Sequence, residues 1–220
     1  MTRQQPSLPR PTSRRLAQLS AWEPAPSLYR ASDERHDQPW WFASRDPDRP
    51  GRFDLQAPAG TCYWADDPVG ALIERHLDPA VIDPLIDVTD LSRSRVWSCP
   101  PASGLRAADL TPRAAGTAKE VSTHTPYDAP GGPWDWVDAV ANVGVWDAVV
   151  GWTRLDAAAS RTVAVFARND SHPHEQAGSA PGVPPGWSAP ATAGSGTRWA
   201  HELGGYVARP PGQSAIEILD

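Results

Sequence analysis

Arg52, Tyr63 and Glu74 follow one another at spacings of about ten residues and offer, as a set, a chemistry that none offers alone. A guanidinium is a planar fork that matches phosphate oxygens. A tyrosine gives an aromatic face against which a ring can lie. A carboxylate can bond sugar hydroxyls and stabilise a developing cation. Together they suit a dinucleotide broken at its glycosidic bond, where the sugar becomes oxocarbenium-like. Each residue also has a plainer reading, because most charged side chains lie at the surface. Arg52 would then be a solvated strand end, Tyr63 a half-buried strand residue and Glu74 an exposed helix residue.

The elements that must position them fall within residues 51–77. Gly51, Arg52, Phe53 and Asp54 read as a short strand-like piece. A turn rich in Pro and Gly follows, and then Thr61, Cys62, Tyr63, Trp64 and Ala65. The next helix has a marked start: Asp66 or Asp67 can cap it, and Pro68 suits a first turn that does not need its N–H. Val69, Leu72, Ile73 and Leu77 then give one apolar face. Glu74 stands at the edge of that face, where a carboxylate can point along the core surface into a cleft.

Leu28-Tyr29-Arg30, Gly51-Arg52-Phe53-Asp54, Tyr63-Trp64-Ala65-Asp66 and Ala71-Leu72-Ile73-Glu74 occur in an order and spacing that resembles the RES domain family. These are bacterial toxins of Xre/RES toxin–antitoxin modules that degrade NAD. A later stretch, from Trp146 through Gly151, Trp152, Thr153 and Arg154 to Asp156 and then Ala164-Val165-Phe166, is similar to the family's closing DGI…SR…LALF segment. The resemblance spans residues 27–168. It implies an α+β, ADP-ribosyltransferase-like fold, with two small sheets around an NAD cleft and helices outside. It implies an NAD glycohydrolase-type enzyme, with water or phosphate as acceptor, NAD as substrate rather than cofactor, and a cognate antitoxin as partner. Glu74, Arg52 and Tyr63 take the catalytic positions. Arg30, Arg52, Tyr63 and Thr153 take the NAD-contacting ones. No metal is implied.

The chain departs from the family at three points. Thr153 stands where the family has Ser, and its extra methyl narrows the rotamer choice. Trp152 is a bulkier wall than a small residue. Asp54 replaces an amide and adds negative charge near a bound dinucleotide. Two other functions keep the same residues: an ADP-ribosyltransferase acting on a macromolecular target, or an inactive RES-like module that only captures a partner. Transferases often carry an acidic or amide residue two positions before the catalytic Glu; here that residue is Leu72, which favours hydrolysis.

Composition bounds the rest. With 220 residues the chain can bury a sizeable core, and its net charge of −6 comes with both signs interspersed. The absence of a basic block argues against direct nucleic-acid binding. Two cysteines exclude a cysteine-clustered zinc site and imply no disulfide framework. No apolar run reaches the ~18 residues of a membrane span, and the first residues lack the core of a signal peptide. A cytoplasmic location is the expectation, and a homodimer is compatible with it. Pro at 25 and Trp at 11 residues are both high, and point to rigid turns and aromatic plugs. Trp40-Trp41-Phe42 reads as such a plug, or as a wall for a bound ring.

Residues 1–26 read as a flexible N-terminal segment, 27–168 as the catalytic domain, and 169–220 as a Pro/Gly-rich linker with a C-terminal extension. Strands are predicted at 27–30, 85–91, 95–97, 148–152 and 162–167, the last being the clearest by its β-branched content. A helical turn is predicted at 107–110, a helix at 134–142 ending near Gly144, and a hairpin turn at 156–161. His124 and Tyr127 are read as loop residues. His172 and His174 are too sparse for a metal site.

Overall fold

The computed structural model describes residues 10–46, 48, 50–76, 85–111, 127–153, 160–167, 183–204 and 207–208. Leu77, His124, His172, His174, Tyr206, Ile216, Ile218 and most of the 156–161 turn lie outside these residues. The architecture is α+β. Helices are α1 (Ser13–Leu16), α2 (Pro68–His76), α3 (Val88–Ser92), α4 (Pro133–Val143) and α5 (Ala200–Leu203). Strands are β1 (Leu28–Asp33), β2 (Gly60–Ala65), β3 (Ile86–Asp87), β4 (Ser94–Cys99), β5 (Ala107–Asp109), β6 (Ala148–Trp152), β7 (Arg161–Ala167), β8 (Ala191–Ser195) and β9 (Val207–Ala208).

Seven strands form one mixed sheet in the order β5-β6-β7-β2-β1-β4-β8, and β3 and β9 make a separate parallel pair. The sheet is nearly two. β2 pairs with β7 over six residue pairs, and β1 with β4 over six. β1 and β2 meet only at Tyr29 and Ala65. In place of the two small sheets expected around a cleft there is one seven-stranded sheet, whose halves are joined at a single residue pair.

Alternation along the strands assigns the cores. Cys62 and Trp64 of β2, with Val163 and Val165 of β7, face one core closed by Trp22, Trp40 and Phe42. Trp40 lies 4.7 Å from Trp64 and 4.7 Å from Trp187, so the Trp40–Phe42 segment is a packed plug. On the other face Ala164 and Val149 meet Phe53, Trp136, Val137 and Val140, the last three from α4. α4 ends as expected, with Gly144 left-handed at φ 79°. A third cluster holds α2 against β1 and β4 through Leu72, Ile73, Ala31 and Val96. Burying Leu72 and Ile73 contributes about 1.5–3 kcal/mol each.

Several segments differ from expectation for local reasons. Residues 51–54 form a turn rather than a strand, because the Asp54 carboxylate accepts from Gly51 N at 2.6 Å. The predicted strand at 85–91 stops after Ile86–Asp87, where Asp87 Oδ1 accepts from Thr89 N at 2.6 Å and caps α3. Residues 107–109 form β5 instead of a helical turn: Ala107 and Ala108 are fully buried and pair in parallel with Ala148 and Val149. Within the Pro/Gly-rich stretch, residues 191–195 join the sheet beside β4. Among the described residues no helix is long and apolar enough to cross a membrane.

His76, at the end of α2, shares a 2.7 Å hydrogen bond with Ser94 Oγ. Burial, reinforced by the neighbouring Arg75 charge, pushes its imidazole down to about 4. The unfolded chain binds that proton from about pH 6.5 downward, whereas the fold resists it until about 4. Stability therefore falls as pH drops through this window, by at most about 1.4 kcal/mol per pH unit and less with partial solvent access. Urea midpoints measured from pH 7 to 4 should drop less steeply in His76→Gln than in the unmodified chain.

Candidate active site

The pocket lies where β1 and β2 part. Had their ladder continued, Tyr63 would face Ala31. Instead the Tyr63 carbonyl accepts from Arg30 Nη1 at 3.0 Å, and the same nitrogen lies 2.8 Å from Cys62 Sγ. Arg30 thus bridges the opening that it lines. The cavity, about 240 Å³, is lined by Arg30, Arg52, Tyr63, Glu74 and Arg75 among others. It is smaller than the ~300–1,000 Å³ of drug-sized ligand sites. A ring and a sugar suit its interior, and a longer ligand would extend outward.

α2 delivers Glu74. Asp67 Oδ1 accepts from Gly70 N at 2.8 Å and fixes the helix start, with Pro68 in the first turn. A Cβ on Gly70 would strike the Ser160 hydroxyl, so the helix comes as close to the residue leading into β7 as a glycine allows. The Glu74 side chain is 10% exposed, and its Oε1 accepts from Thr162 Oγ1 of β7 at 2.7 Å. Arg52 Nη2 is 3.9 Å from the same oxygen.

Arg52 comes from the 51–54 turn. Its side chain is 2% exposed, its guanidinium lies 4.5 Å over the Phe53 ring, and Nη2 donates to the Trp152 carbonyl at 2.5 Å. It forms the floor of the pocket. Tyr63 is held by its hydroxyl, which accepts from Phe53 N and donates to Asp54 Oδ1, both at 2.8 Å. That hydroxyl is committed to the turn, so Tyr63 offers the pocket its ring. A side chain on Gly51 would collide with the Asp54 carboxylate and the Tyr63 hydroxyl. Asp54, 2% exposed, is the brace between turn and ring rather than a charge aimed at a ligand.

Four of the five expected site residues, Arg30, Arg52, Tyr63 and Glu74, line one pocket. Thr153 is apart from them. It is fully buried, does not line the pocket, and its Oγ1 accepts from Ser160 Oγ at 2.6 Å. The hydroxyl that reaches Glu74 is that of Thr162, which the sequence presents only as a β-branched strand residue. Arg75 was missed too; its sole signal is adjacency to Glu74. Among the described residues no group of His, Cys, Asp and Glu could hold a metal ion.

The fold is similar to that of a chain in the crystal structure of the M. tuberculosis MbcT–MbcA toxin–antitoxin complex, with a TM-score of 0.54 and 13% identity. The match covers 86% of this chain and 95% of that one. No family model matches the chain, and no curated protein is significantly similar to it in sequence. At that identity the likeness speaks for the fold, a mixed α+β architecture that it shares with a component of a toxin–antitoxin complex.

Proposed function

We propose that the chain is an NAD-consuming toxin that cleaves the nicotinamide–ribose bond and is restrained by a cognate antitoxin. The observation that carries this reading is the Glu74 carboxylate, fixed by Thr162 and Arg52 in a pocket also lined by the Tyr63 ring. The resemblance to RES domains supplies the substrate. The fold shared with a chain of a toxin–antitoxin complex supports the toxin role and the protein partner.

In the reaction the C–N glycosidic bond breaks and its electron pair leaves with the ring nitrogen, so nicotinamide departs neutral. Water adds to the sugar carbon and releases a proton, giving ADP-ribose. The leaving group needs no strong acid. It needs negative charge beside the ribose, which Glu74 supplies, and a fixed ring, which Tyr63 supplies. Leu72, two residues before Glu74, is fully buried and offers nothing to a macromolecular acceptor, which favours water over a transferase reaction.

The test is nicotinamide release from NAD by the purified protein, resolved by chromatography. ADP-ribose as co-product supports the reading. A folded sample that releases no nicotinamide overturns it. Thr162→Val keeps the shape and removes the donor to Glu74. Its kcat should fall about 10-fold, equal to about 1.4 kcal/mol, with KM little changed. Thr162→Ser should restore most of it.

A further inference from the structure

The charge around the pocket is opposite to that of the chain. The protein carries −6 overall, yet the lining residues hold three arginines, Arg30, Arg52 and Arg75, against one carboxylate, Glu74. Arg52 is beside Glu74 on the floor. The other two arginines have no dedicated counter-ion. Arg30 makes no ion pair among the described residues, and its Nε is buried without an acceptor. Arg75, with a side chain 31% exposed, makes one ion pair among the described residues, to Asp33 at 3.9 Å, and feels a weaker attraction from Asp90.

Asp33 is already taken. Arg35 grips it with both prongs, Nε to Oδ1 at 2.8 Å and Nη2 to Oδ2 at 3.0 Å. Burial draws the Arg75 guanidinium below its usual range; Asp33 opposes this, and the like charge of Arg30 adds to the fall. Two cations thus line one cavity. Such a pair is relieved by an anion between them, and two planar forks match the oxygens of a diphosphate.

We propose that Arg75, at the outer part of the pocket, forms a diphosphate subsite with the more buried Arg30, and that Arg75 makes the site prefer a dinucleotide to an uncharged nucleoside. This rests on the NAD reading for its physiological ligand and not for the subsite itself. It also divides the labour of the arginines: Arg52 serves Glu74 on the floor, and Arg75 holds the phosphates further out.

Calorimetry with the full chain tests it, using ADP-ribose, adenosine and inorganic pyrophosphate as probes. Arg75→Ala should weaken ADP-ribose and pyrophosphate about 10- to 100-fold, leave adenosine unchanged, and place its kinetic loss on the KM for NAD. Arg75→Lys should fall between. Arg35→Ala lies outside the pocket, but it frees Asp33 to neutralise Arg75 and should weaken pyrophosphate in the same direction. Pyrophosphate binding that depends on Arg75 in a protein that releases no nicotinamide would support the subsite while the NAD reading fails. Unchanged affinity for ADP-ribose and pyrophosphate in Arg75→Ala, or no pyrophosphate binding by the unmodified chain, overturns the subsite.

Discussion

Glu74→Gln is expected to lower nicotinamide release about 1,000-fold, a barrier increase of about 4 kcal/mol, while the thermal midpoint moves by only a few degrees. The substitution is nearly isosteric. The Gln carbonyl can still accept from Thr162 Oγ1, so the contact between α2 and β7 survives. What disappears is the full negative charge beside the ribose. That charge counts most while the sugar is cationic, so the loss falls mainly on kcat rather than on binding. Turnover and circular dichroism melts of the same preparation check both halves. Wild-type turnover in this variant would sink the proposed mechanism.

Arg52→Ala should have the opposite balance, with a structural cost that exceeds what a surface arginine would show. The guanidinium is 2% exposed, packs over Phe53, donates to the Trp152 carbonyl and faces Glu74. Removing it opens a void, strips a donor from the Trp152 carbonyl and leaves a carboxylate without its neighbouring cation. Breaking a buried ion pair from one side costs about 3–5 kcal/mol. For a chain of this size that is a fall of about 10 °C or more in Tm. Arg52→Lys should recover part of the stability and less of the activity, since an ammonium cannot both lie flat on Phe53 and reach two acceptors. A melt within 2 °C or so of the unmodified protein would show that Arg52 is not the packed floor described above.

The parts legible in the sequence were those where one local rule met no opposition. Asp67, Pro68 and the spacing of Val69, Leu72 and Ile73 define α2, and with it the address of Glu74. The β-branched run 162–167 defines β7. Local rules failed where a short polar side chain outbid the strand pattern. The residues around Phe53 look like an extended piece, but Asp54 bonds back to Gly51 N and bends them into a turn. Asp87 does the same to the run that begins at Leu85, by capping a helix in its midst. At the site, residue type was readable and direction was not. Thr153 and Thr162 are both hydroxyls near the late strands, and only packing decides that one meets Ser160 and the other Glu74. Arg75 was hidden for the same reason: nothing in a linear chain reveals that it comes beside Arg30 in the pocket and near Asp33.

The single pair that joins β1 to β2 has a consequence for how such a protein can diverge. Most pockets are carved by side chains, and they fill in when those side chains grow. This one is a gap in the weave of the backbone, opened where the two strands part beyond the Tyr29–Ala65 pair, after Tyr29 on β1 and before Ala65 on β2. The hollow belongs to the path of the main chain, so its upholstery can be replaced residue by residue without closing it. A lineage built this way can retain a binding hollow while its lining and the rest of its sequence drift, exchanging one ligand preference for another without first inventing a new cavity.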